Sequence, residues 1–370
     1  MAYIQSLRLT DFRSYSALDL TLGPEPVVLY GANGAGKTNL LEAISFLSPG
    51  RGLRRAKVED IARRDDEWTA PAWGVTATLS NDGPVKIAVG QVPEHPRRRT
   101  MRVDGRSATG TQLAELITLM WLTPAQDRLF TGPASDRRKF LDRFTLVHTP
   151  KHGHNILRYE KARAQRNRLL SDGITDDIWF SALEADMAQY GAKAAQARTE
   201  TVQRLISEIA ARPEGAFPKA IVTLEGRAEE MSQSGLSIPD IEAEIKSSLA
   251  TQRPKDYRAG RTLEGIHRSD LCVTHAGKCM PAAECSTGEQ KALLIGLILA
   301  HARAQIEKSP ILLLDEVAAH LDSARRAALT EELIALGTQV FMTGTDASLF
   351  EAFIGRAQTF RVSDGQISPS

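Results

Sequence analysis

The chain has 370 residues, of which 42% are hydrophobic and 25% are charged, and its formal net charge is only +1. No apolar run reaches 18 residues and no basic, apolar leader opens the chain, which favours neither a membrane span nor a secretory signal. The three cysteines form no C-x-x-C pair and are more typical of reduced thiols. We therefore expect a cytoplasmic globular protein without a membrane partner, built from two or three domains or from one domain with a large insertion.

In chain order, the first predicted elements are two strands within residues 2–22, on either side of the turn "DFRSY". A short apolar strand at 27–30 then leads through a glycine-rich turn into a helix, with the spacing Gly-x-x-x-x-Gly-Lys-Thr. Glycines let successive backbone N–H groups converge on a phosphate at a helix N-terminus. We expect this loop to bind ATP through Gly31, Ala32, Asn33, Gly34, Ala35, Gly36, Lys37 and Thr38.

Two side chains of this loop are predicted to act directly on the nucleotide. Lys37 would reach the β- and γ-phosphates, and the Thr38 hydroxyl would bind a magnesium ion. The alternative interpretation is an ordinary glycine turn. A second nucleotide-binding motif elsewhere in the chain decides between the two.

The middle of the chain changes from strands to helices. Residues 73–105 contain short strands separated by the turn signals Asn-Asp-Gly and Asp-Gly, which predict a meander. From about residue 124 the apolar residues follow a helical period. The spacing predicts one long helix over about 178–211 and another within 156–173, which together form a helical arm.

Basic residues are concentrated in this arm. Between Arg137 and Arg168 the chain has ten Lys or Arg against Asp142 and Glu160, and a smaller cluster lies at 51–57. Such segregation is typical of a surface that meets a phosphate backbone, although charge alone fits a solvated basic helix equally well. If DNA binds, we expect sequence-independent, salt-sensitive contacts from Arg51, Arg54, Arg55, Arg163, Arg166 and Arg168.

The second nucleotide motif is "PILLLDE", residues 310–316. A buried strand that ends in a carboxylate beside a phosphate loop is a standard arrangement for holding magnesium. Asp315 would therefore bind the ion, and Glu316 would polarise the attacking water. With Lys37, these two acids form the predicted catalytic set.

The distance in sequence between these motifs predicts the domain organisation. Lys37 and Asp315 must meet in one nucleotide site although most of the chain separates them. An insertion must therefore divide a single ATPase domain. We predict an α/β head from residues 1–123 and 262–370, and an inserted helical lobe with basic helices from residues 124–261.

Further motifs make a family resemblance specific. Ser286-x-Gly288-Glu289 opens an apolar helix before the acidic strand, and Leu321-Asp322 follows that strand. They resemble the signature and the D-loop of ABC-type ATPases. Together with "LRLTDFRSY", "GANGAGKTNLLEAISFLSPGRGLR", "DRRKFLD" and "EGIHRSDL", they resemble the RecF family, which is related to the heads of SMC-type proteins. The resemblance is strong at both ends of the chain and weak in the middle.

The resemblance implies an α/β, ABC/SMC-type P-loop ATPase head with an inserted helical lobe, using ATP and Mg²⁺. It implies an ATP-dependent homodimer in which Ser286 and Gly288 cap the γ-phosphate held by the other copy, with Asp322 also at the nucleotide. It further implies binding to double-stranded and gapped or junction DNA, in recombinational repair and replication. The RecO and RecR mediators would act with it to load recombinase.

Four positions and two other functions leave alternatives open. Thr345 stands where ABC ATPases have a switch histidine, which predicts slow hydrolysis used as a timer. Gln126 is the Q-loop candidate, and the alternative is that it caps a turn. "EGIHRSDL" has Ile266 and Ser269 in place of the expected Pro and Asp. The other functions are an ABC transporter's ATPase subunit, which the basic insertion and Thr345 disfavour, and a nucleotide-regulated scaffold without useful turnover.

Overall fold

The computed structural model describes residues 2–65 and 67–370. The chain divides into two compact units. The first unit comprises Met1–Asp127, Glu214–Phe217 and Leu294–Ser370, and the second comprises Arg128–Pro213 and Pro218–Leu293. Within the described ranges, no helix is both long enough and apolar enough to cross a membrane.

The helices and strands alternate along the chain in three stretches. The first stretch forms β1 (Tyr3–Phe12), β2 (Tyr15–Thr21), β3 (Val27–Tyr30), α1 (Lys37–Ser45), β4 (Trp73–Asn81), β5 (Gly83–Gln91), β6 (Thr100–Val103), β7 (Arg106–Ser107), α2 (Gly110–Leu116) and β8 (Leu119–Leu122). The middle stretch forms α3 (Ala134–His148), α4 (His152–Ser171), α5 (Asp177–Ala211), β9 (Ala220–Glu225), α6 (Arg227–Gln233), α7 (Ile238–Ala259), β10 (Asp270–His275), β11 (Met280–Pro281) and α8 (Thr287–Arg303). The last stretch forms β12 (Ile311–Leu314), α9 (Ser323–Leu336), β13 (Val340–Gly344), β14 (Gln358–Ser363) and β15 (Gln366–Pro369).

The first unit contains an antiparallel sheet with the strand order β2-β1-β4-β5-β6-β7. β1 buries Ile4, Leu7, Leu9 and Phe12, and these side chains belong to the core of the unit. The predicted pair of strands near the N-terminus and the predicted meander are therefore confirmed.

A second sheet of this unit, ordered β15-β14-β3-β13-β12-β8, carries the predicted nucleotide motifs. β14, β3, β13, β12 and β8 run parallel. All four residues of β12 are buried, as expected for a strand covered on both faces. Because the carboxyl ends of parallel strands meet at one edge of a sheet, the segments after β3, β12, β13 and β8 lie side by side.

The second unit is built on the predicted arm. α5 packs against α4 and α7, and its residues Met187, Ala188, Ala192 and Ala195 are buried in a core shared with these helices. The helical spacing predicted over 178–211 is confirmed. The sheet of this unit has the order β11-β10-β9.

Capping residues mark the ends of the long helices. The Asp176 carboxylate accepts the first N–H groups of α5, and the Ser237 hydroxyl accepts the Asp240 N–H at the start of α7. Gly260 caps the C-terminus of α7, and its φ of 63° is the left-handed conformation that glycine adopts readily.

The boundary between the units differs from the one predicted. Residues 262–293 fall in the second unit rather than in the head. The cause is strand pairing, since β10 pairs antiparallel with β9 from Asp270 and Glu225 to His275 and Ala220. These strands are short and far apart in sequence, so no local pattern indicates that they pair.

Arg166, which we predicted to contact DNA, is a core residue of the second unit. Its side chain is 0% exposed. Nε donates to Glu184 at 3.1 Å, Nη1 donates to Asp256 at 2.6 Å and to the Thr262 hydroxyl at 2.9 Å, and Nη2 donates to the Leu249 carbonyl at 3.0 Å. A guanidinium enclosed in this way cannot reach a DNA backbone. The prediction was wrong because a helical charge pattern does not show which arginine faces inward.

The segment "EGIHRSDL" has a structural role in the same unit. His267 Nδ1 accepts a hydrogen bond from the Tyr159 hydroxyl at 2.8 Å, and His267 Nε2 donates a hydrogen bond to the Thr262 carbonyl at 3.3 Å. Burial is the main cause that lowers the pKa of His267 to about 4, and nearby Arg163, Arg138 and Arg268 add to it. The ring is therefore neutral at pH 7.

We predict that His267 makes stability depend on pH. Its folded pKa of about 4 lies below its ordinary value of 6.5, so the unfolded chain binds the proton first as pH falls. Above pH 6.5 the neutral ring contributes about 3 kcal/mol to the free energy of unfolding, and this contribution is lost between pH 6.5 and pH 4. Urea unfolding of His267→Gln should show a flatter pH profile over this range. The matched control, His154→Gln at an exposed position, should keep the wild-type profile; equal slopes for both variants would contradict the prediction.

Candidate nucleotide site

The phosphate-binding loop connects β3 to α1, as predicted. Gly31, Gly34 and Gly36 have φ of 153°, 84° and 114°, a region that favours glycine. A Cβ on Gly36 would lie 2.9 Å from the Ser14 hydroxyl oxygen, and one on Gly31 would lie 2.1 Å from the Val362 carbonyl oxygen. The loop therefore has no room for side chains at either end, and its backbone can approach a phosphate closely.

Neighbouring strands hold this loop in place. The Tyr15 hydroxyl donates to the Gly36 carbonyl at 3.0 Å, and the Gly365 N–H donates to the Ala35 carbonyl at 3.1 Å. α1 begins at Lys37 with no side-chain cap and no acid in its first turn. Its N–H groups and the positive end of its dipole are therefore suited to an anion.

The Lys37 side chain lies over the loop. Nζ donates to the Gly31 carbonyl at 2.6 Å and to the Ala32 carbonyl at 2.8 Å. Burial lowers the pKa of Lys37, and the charges of Glu316 and Asp315 partly offset this effect. The ammonium group is thus placed to exchange its carbonyl partners for phosphate oxygens.

Thr38 and Asp315, which we predicted to share a magnesium ion, are in direct contact. The Thr38 hydroxyl donates to Asp315 Oδ1 at 2.9 Å, and the Thr343 hydroxyl donates to the same oxygen at 2.8 Å. Asp315 is buried. A carboxylate and hydroxyl oxygens form the hard donor set that Mg²⁺ prefers, so these residues fit the predicted ion.

Thr343 also contacts the backbone of Glu316, although no sequence motif predicted a role for it. Its hydroxyl oxygen accepts the Glu316 N–H at 2.9 Å. Glu316 has a φ of 51°, which is uncommon for a non-glycine residue and typical of backbone strain at functional sites. The sequence shows only a threonine near the end of the apolar strand "QVFMTG", and the position of this strand next to the acidic strand is known only from the sheet.

A cavity of about 540 Å³ adjoins the phosphate loop. It is lined by loop residues 31–35 and by the ends of parallel strands, including Tyr30, Thr345, Asp346 and residues 361–364. Thr345 is exposed and directly follows β13. The structure therefore places Thr345 beside the loop, and its contact with a γ-phosphate stays a prediction.

Gln126 follows β8 at the same edge of the sheet. Its side-chain oxygen accepts the Thr123 N–H at 2.9 Å, which is the turn-capping geometry named as the alternative. The Gln126 N–H in turn donates to the Thr123 carbonyl at 2.9 Å, which completes the turn. The role of Gln126 at a nucleotide stays a prediction.

The signature lies in the second unit, whereas the phosphate loop and the acidic pair lie in the first. Ser286 and Glu289 form a capping box at the start of α8, in which the Ser286 hydroxyl donates to Glu289 at 2.9 Å. Gly288 lies in the first turn of this helix. In the first unit, Asp322 caps α9 by accepting the Arg325 N–H at 2.8 Å.

Comparison with known proteins places this architecture in a family. Residues 3–368 match the family model described as RecF/RecN/SMC N terminal domain. The DNA replication and repair protein RecF of Mesorhizobium japonicum is 51% identical over 375 residues, covering 100% of this chain and 98% of that protein. RecF of Caulobacter vibrioides is 47% identical, covering 99% of this chain and 98% of that protein. The chain belongs to the RecF family.

Solved structures share the fold of this chain. The recombination mediator protein RecF in the RecFOR pathway has a TM-score of 0.85 at 23% identity, covering 100% of this chain and 98% of that chain. An SMC head domain from Pyrococcus furiosus, bound to the C-terminal domain of ScpA, has a TM-score of 0.55 at 16% identity, with 100% and 96% covered. The predicted α/β head of the ABC/SMC type is confirmed.

The remaining basic residues predicted to bind DNA occupy different environments. Arg51 and Arg55 are exposed, and Arg168 is 84% exposed with Asp172 at 3.7 Å. Arg163 pairs with its helix neighbour Glu160. Arg54 is also exposed, but it donates to the Asn39 side chain of α1 at 2.8 Å. Their contact with DNA stays a prediction.

We predict that Thr343→Val weakens this RecF-family site. Loss of the hydroxyl removes one bond to Asp315 and one acceptor for the Glu316 N–H, which should cost about 1–3 kcal/mol of unfolding free energy. ATP turnover should fall about tenfold or more, because both acids lose their orientation. Urea unfolding and a phosphate-release assay measure the two effects.

Thr338→Val is the matched control, since the Thr338 hydroxyl is buried without a partner among the described residues. It should leave turnover unchanged, and Thr343→Ser should keep most of it. Full turnover in Thr343→Val would remove Thr343 from the site.

Proposed function

We propose that the chain is an ATP-dependent DNA-binding protein of recombinational repair and replication, with slow ATPase activity. The observation that carries the proposal is the hydrogen bond between Thr38 and Asp315, because it joins the phosphate loop and the acidic strand in one site. Membership of the RecF family and the confirmed head fold support it.

The residues of the site would divide the chemistry of ATP hydrolysis among them. The loop N–H groups and the N-terminus of α1 would bind the phosphates, and Lys37 would neutralise the charge that develops on them. Glu316 would orient and polarise the attacking water. Thr38 and Asp315 would hold Mg²⁺, whose charge stabilises the phosphate oxygens when it is bound.

The signature would act on a second copy of the chain. Ser286 and Gly288 begin a helix whose N-terminus suits a γ-phosphate, and Asp322 would contribute at the same interface. Thr345 would present a hydroxyl at the position where ABC ATPases have a histidine. Because an imidazole would polarise the γ-phosphate more strongly than a hydroxyl, this difference would account for slow turnover. ATP binding would thus close a homodimer, and hydrolysis by Glu316 would reopen it.

The closed dimer would bind double-stranded DNA, especially at gaps and junctions, through phosphate contacts. The exposed arginines support this role, with Arg166 excluded. The RecFOR pathway of the similar solved structures points to RecO and RecR as partner proteins that help to load recombinase. All of these steps would take place in the cytoplasm.

We predict that Glu316→Gln and Lys37→Ala separate binding from hydrolysis. Glu316→Gln should form a dimer with ATP and magnesium but lose about 100-fold or more of its turnover, because the water loses its base. Lys37→Ala should bind ATP poorly and stay monomeric. Light scattering measures the dimer, and phosphate release with and without gapped DNA measures turnover.

Two outcomes would count against this mechanism. A monomeric mass for Glu316→Gln at saturating ATP would overturn the closed dimer. Wild-type turnover no higher than that of Glu316→Gln, even with gapped DNA, would instead favour a nucleotide-regulated scaffold.

We also predict that exposed arginines bind the DNA backbone. Replacing Arg51 and Arg168 together by Glu should weaken duplex binding about tenfold or more. It should also make the negative slope of log affinity against log salt concentration shallower by about two, since two phosphate contacts are lost. Fluorescence anisotropy at several salt concentrations measures both quantities.

Lys246→Glu with Lys255→Glu is the control, because it makes the same charge change at exposed positions of α7. An equal loss of affinity in the two double variants would show that only total charge matters, and would contradict specific contacts by Arg51 and Arg168.

A further inference from the structure

A carboxylate lies directly against the signature serine. The Ser286 hydroxyl and the Ser286 N–H both donate to Glu289 Oε2, at 2.9 Å and 3.1 Å. The helix dipole ordinarily stabilises such a capping glutamate. At this helix, however, the same N-terminus would also cap a γ-phosphate in the proposed dimer. The Glu289 carboxylate and the γ-phosphate would then compete for the N-terminus of α8.

Lys278 binds the other oxygen of this carboxylate. Its Nζ lies 2.5 Å from Glu289 Oε1. Lys278 ends the short turn Ala276–Lys278 between β10 and β11, and the next residue, Cys279, has a φ of 48°. Strand pairing on both sides holds the turn, with Thr274 opposite Pro281. The ammonium group is thus brought to α8 by a hairpin of the same unit.

The ion pair changes what the Ser286 hydroxyl can do. To cap a phosphate, the hydroxyl hydrogen must turn from Glu289 to a phosphate oxygen. An unpaired carboxylate would retain that hydrogen and would repel the phosphate. The bond from Lys278, followed by those from Ser286, lowers the pKa of Glu289 to about 2, so this group is charged at neutral pH. The Lys278 ammonium group balances this charge within the unit.

We propose that Lys278 is a positioning residue for the signature. By pairing with Glu289, it would allow Ser286 to donate to the γ-phosphate of the second copy and would reduce repulsion at the closed interface. Lys278 itself would not contact the nucleotide. This inference rests on the ATP-closed dimer proposed above.

The test measures the ATP concentration that gives half-maximal dimer, in full-length chain carrying Glu316→Gln so that ATP persists. Lys278→Met keeps a long side chain without the charge, and it should raise this concentration about tenfold or more. Lys278→Arg should stay within about twofold of the parent, because the charge is retained. Binding of a fluorescent ATP analogue to the monomer should be unchanged in both, since the phosphate loop is intact.

A double variant distinguishes charge balance from a merely structural role. Adding Glu289→Gln to Lys278→Met removes the unpaired carboxylate and should return the dimer midpoint to within about threefold of the parent. If Lys278 only stabilised the hairpin, the double variant would not recover.

Three results would overturn the inference. The first is a midpoint for Lys278→Met equal to that of the parent. The second is a double variant no better than Lys278→Met. The third is a parent that does not dimerise with ATP, which would overturn the proposed closed dimer and this inference with it. Dimerisation of the parent separates the last case from the first two.

Discussion

The candidate site depends on the hydrogen bond between Thr38 and Asp315, which the strand order of the parallel sheet brings within reach. The phosphate loop follows β3, the acidic pair follows β12, and β13 lies between these two strands in the parallel sheet. Thr343 of β13 connects to the acidic pair, because its hydroxyl donates to Asp315 and accepts the Glu316 N–H. Three neighbouring strand ends thus converge on one buried carboxylate. The parallel sheet acts as the frame that joins segments separated by most of the chain.

The second unit contains buried arginine ion pairs, including one at Arg166, which the sequence pattern presented as surface charge. Arg166 bonds to Glu184 and Asp256, and Arg198 bonds to Asp142 and Glu229, with both guanidinium groups buried. Removing one partner of such a network leaves an uncompensated buried charge, which is strongly destabilising. Part of the positive charge counted in this region is therefore neutralised inside the unit. Only the exposed remainder is available for the proposed contacts with DNA.

Local patterns could predict much of this fold, and long-range pairings could not be predicted. The strand, glycine turn and helix around Lys37 are contiguous, and the apolar strand before Asp315 is unambiguous, so both were recognisable. The role of Thr343 arises only from its neighbours in the sheet. α7 was also hard to predict, because Ile241, Ile245 and Leu249 form a narrow apolar stripe in a polar segment. The placement of β10 in the second unit follows from its pairing with β9.

The functional donors of both motifs already have acceptors within the protein. Lys37 donates to loop carbonyls, Thr38 donates to Asp315, and Ser286 donates to Glu289. Binding a phosphate at these groups would therefore exchange one set of hydrogen bonds for another, and the net gain of such an exchange is much smaller than the strength of each bond. Closure driven by small differences is easily reversed when the γ-phosphate is lost. That balance suits the proposed cycle, in which hydrolysis would reopen the dimer and release DNA, and under this proposal one charge near the signature could decide whether the dimer closes.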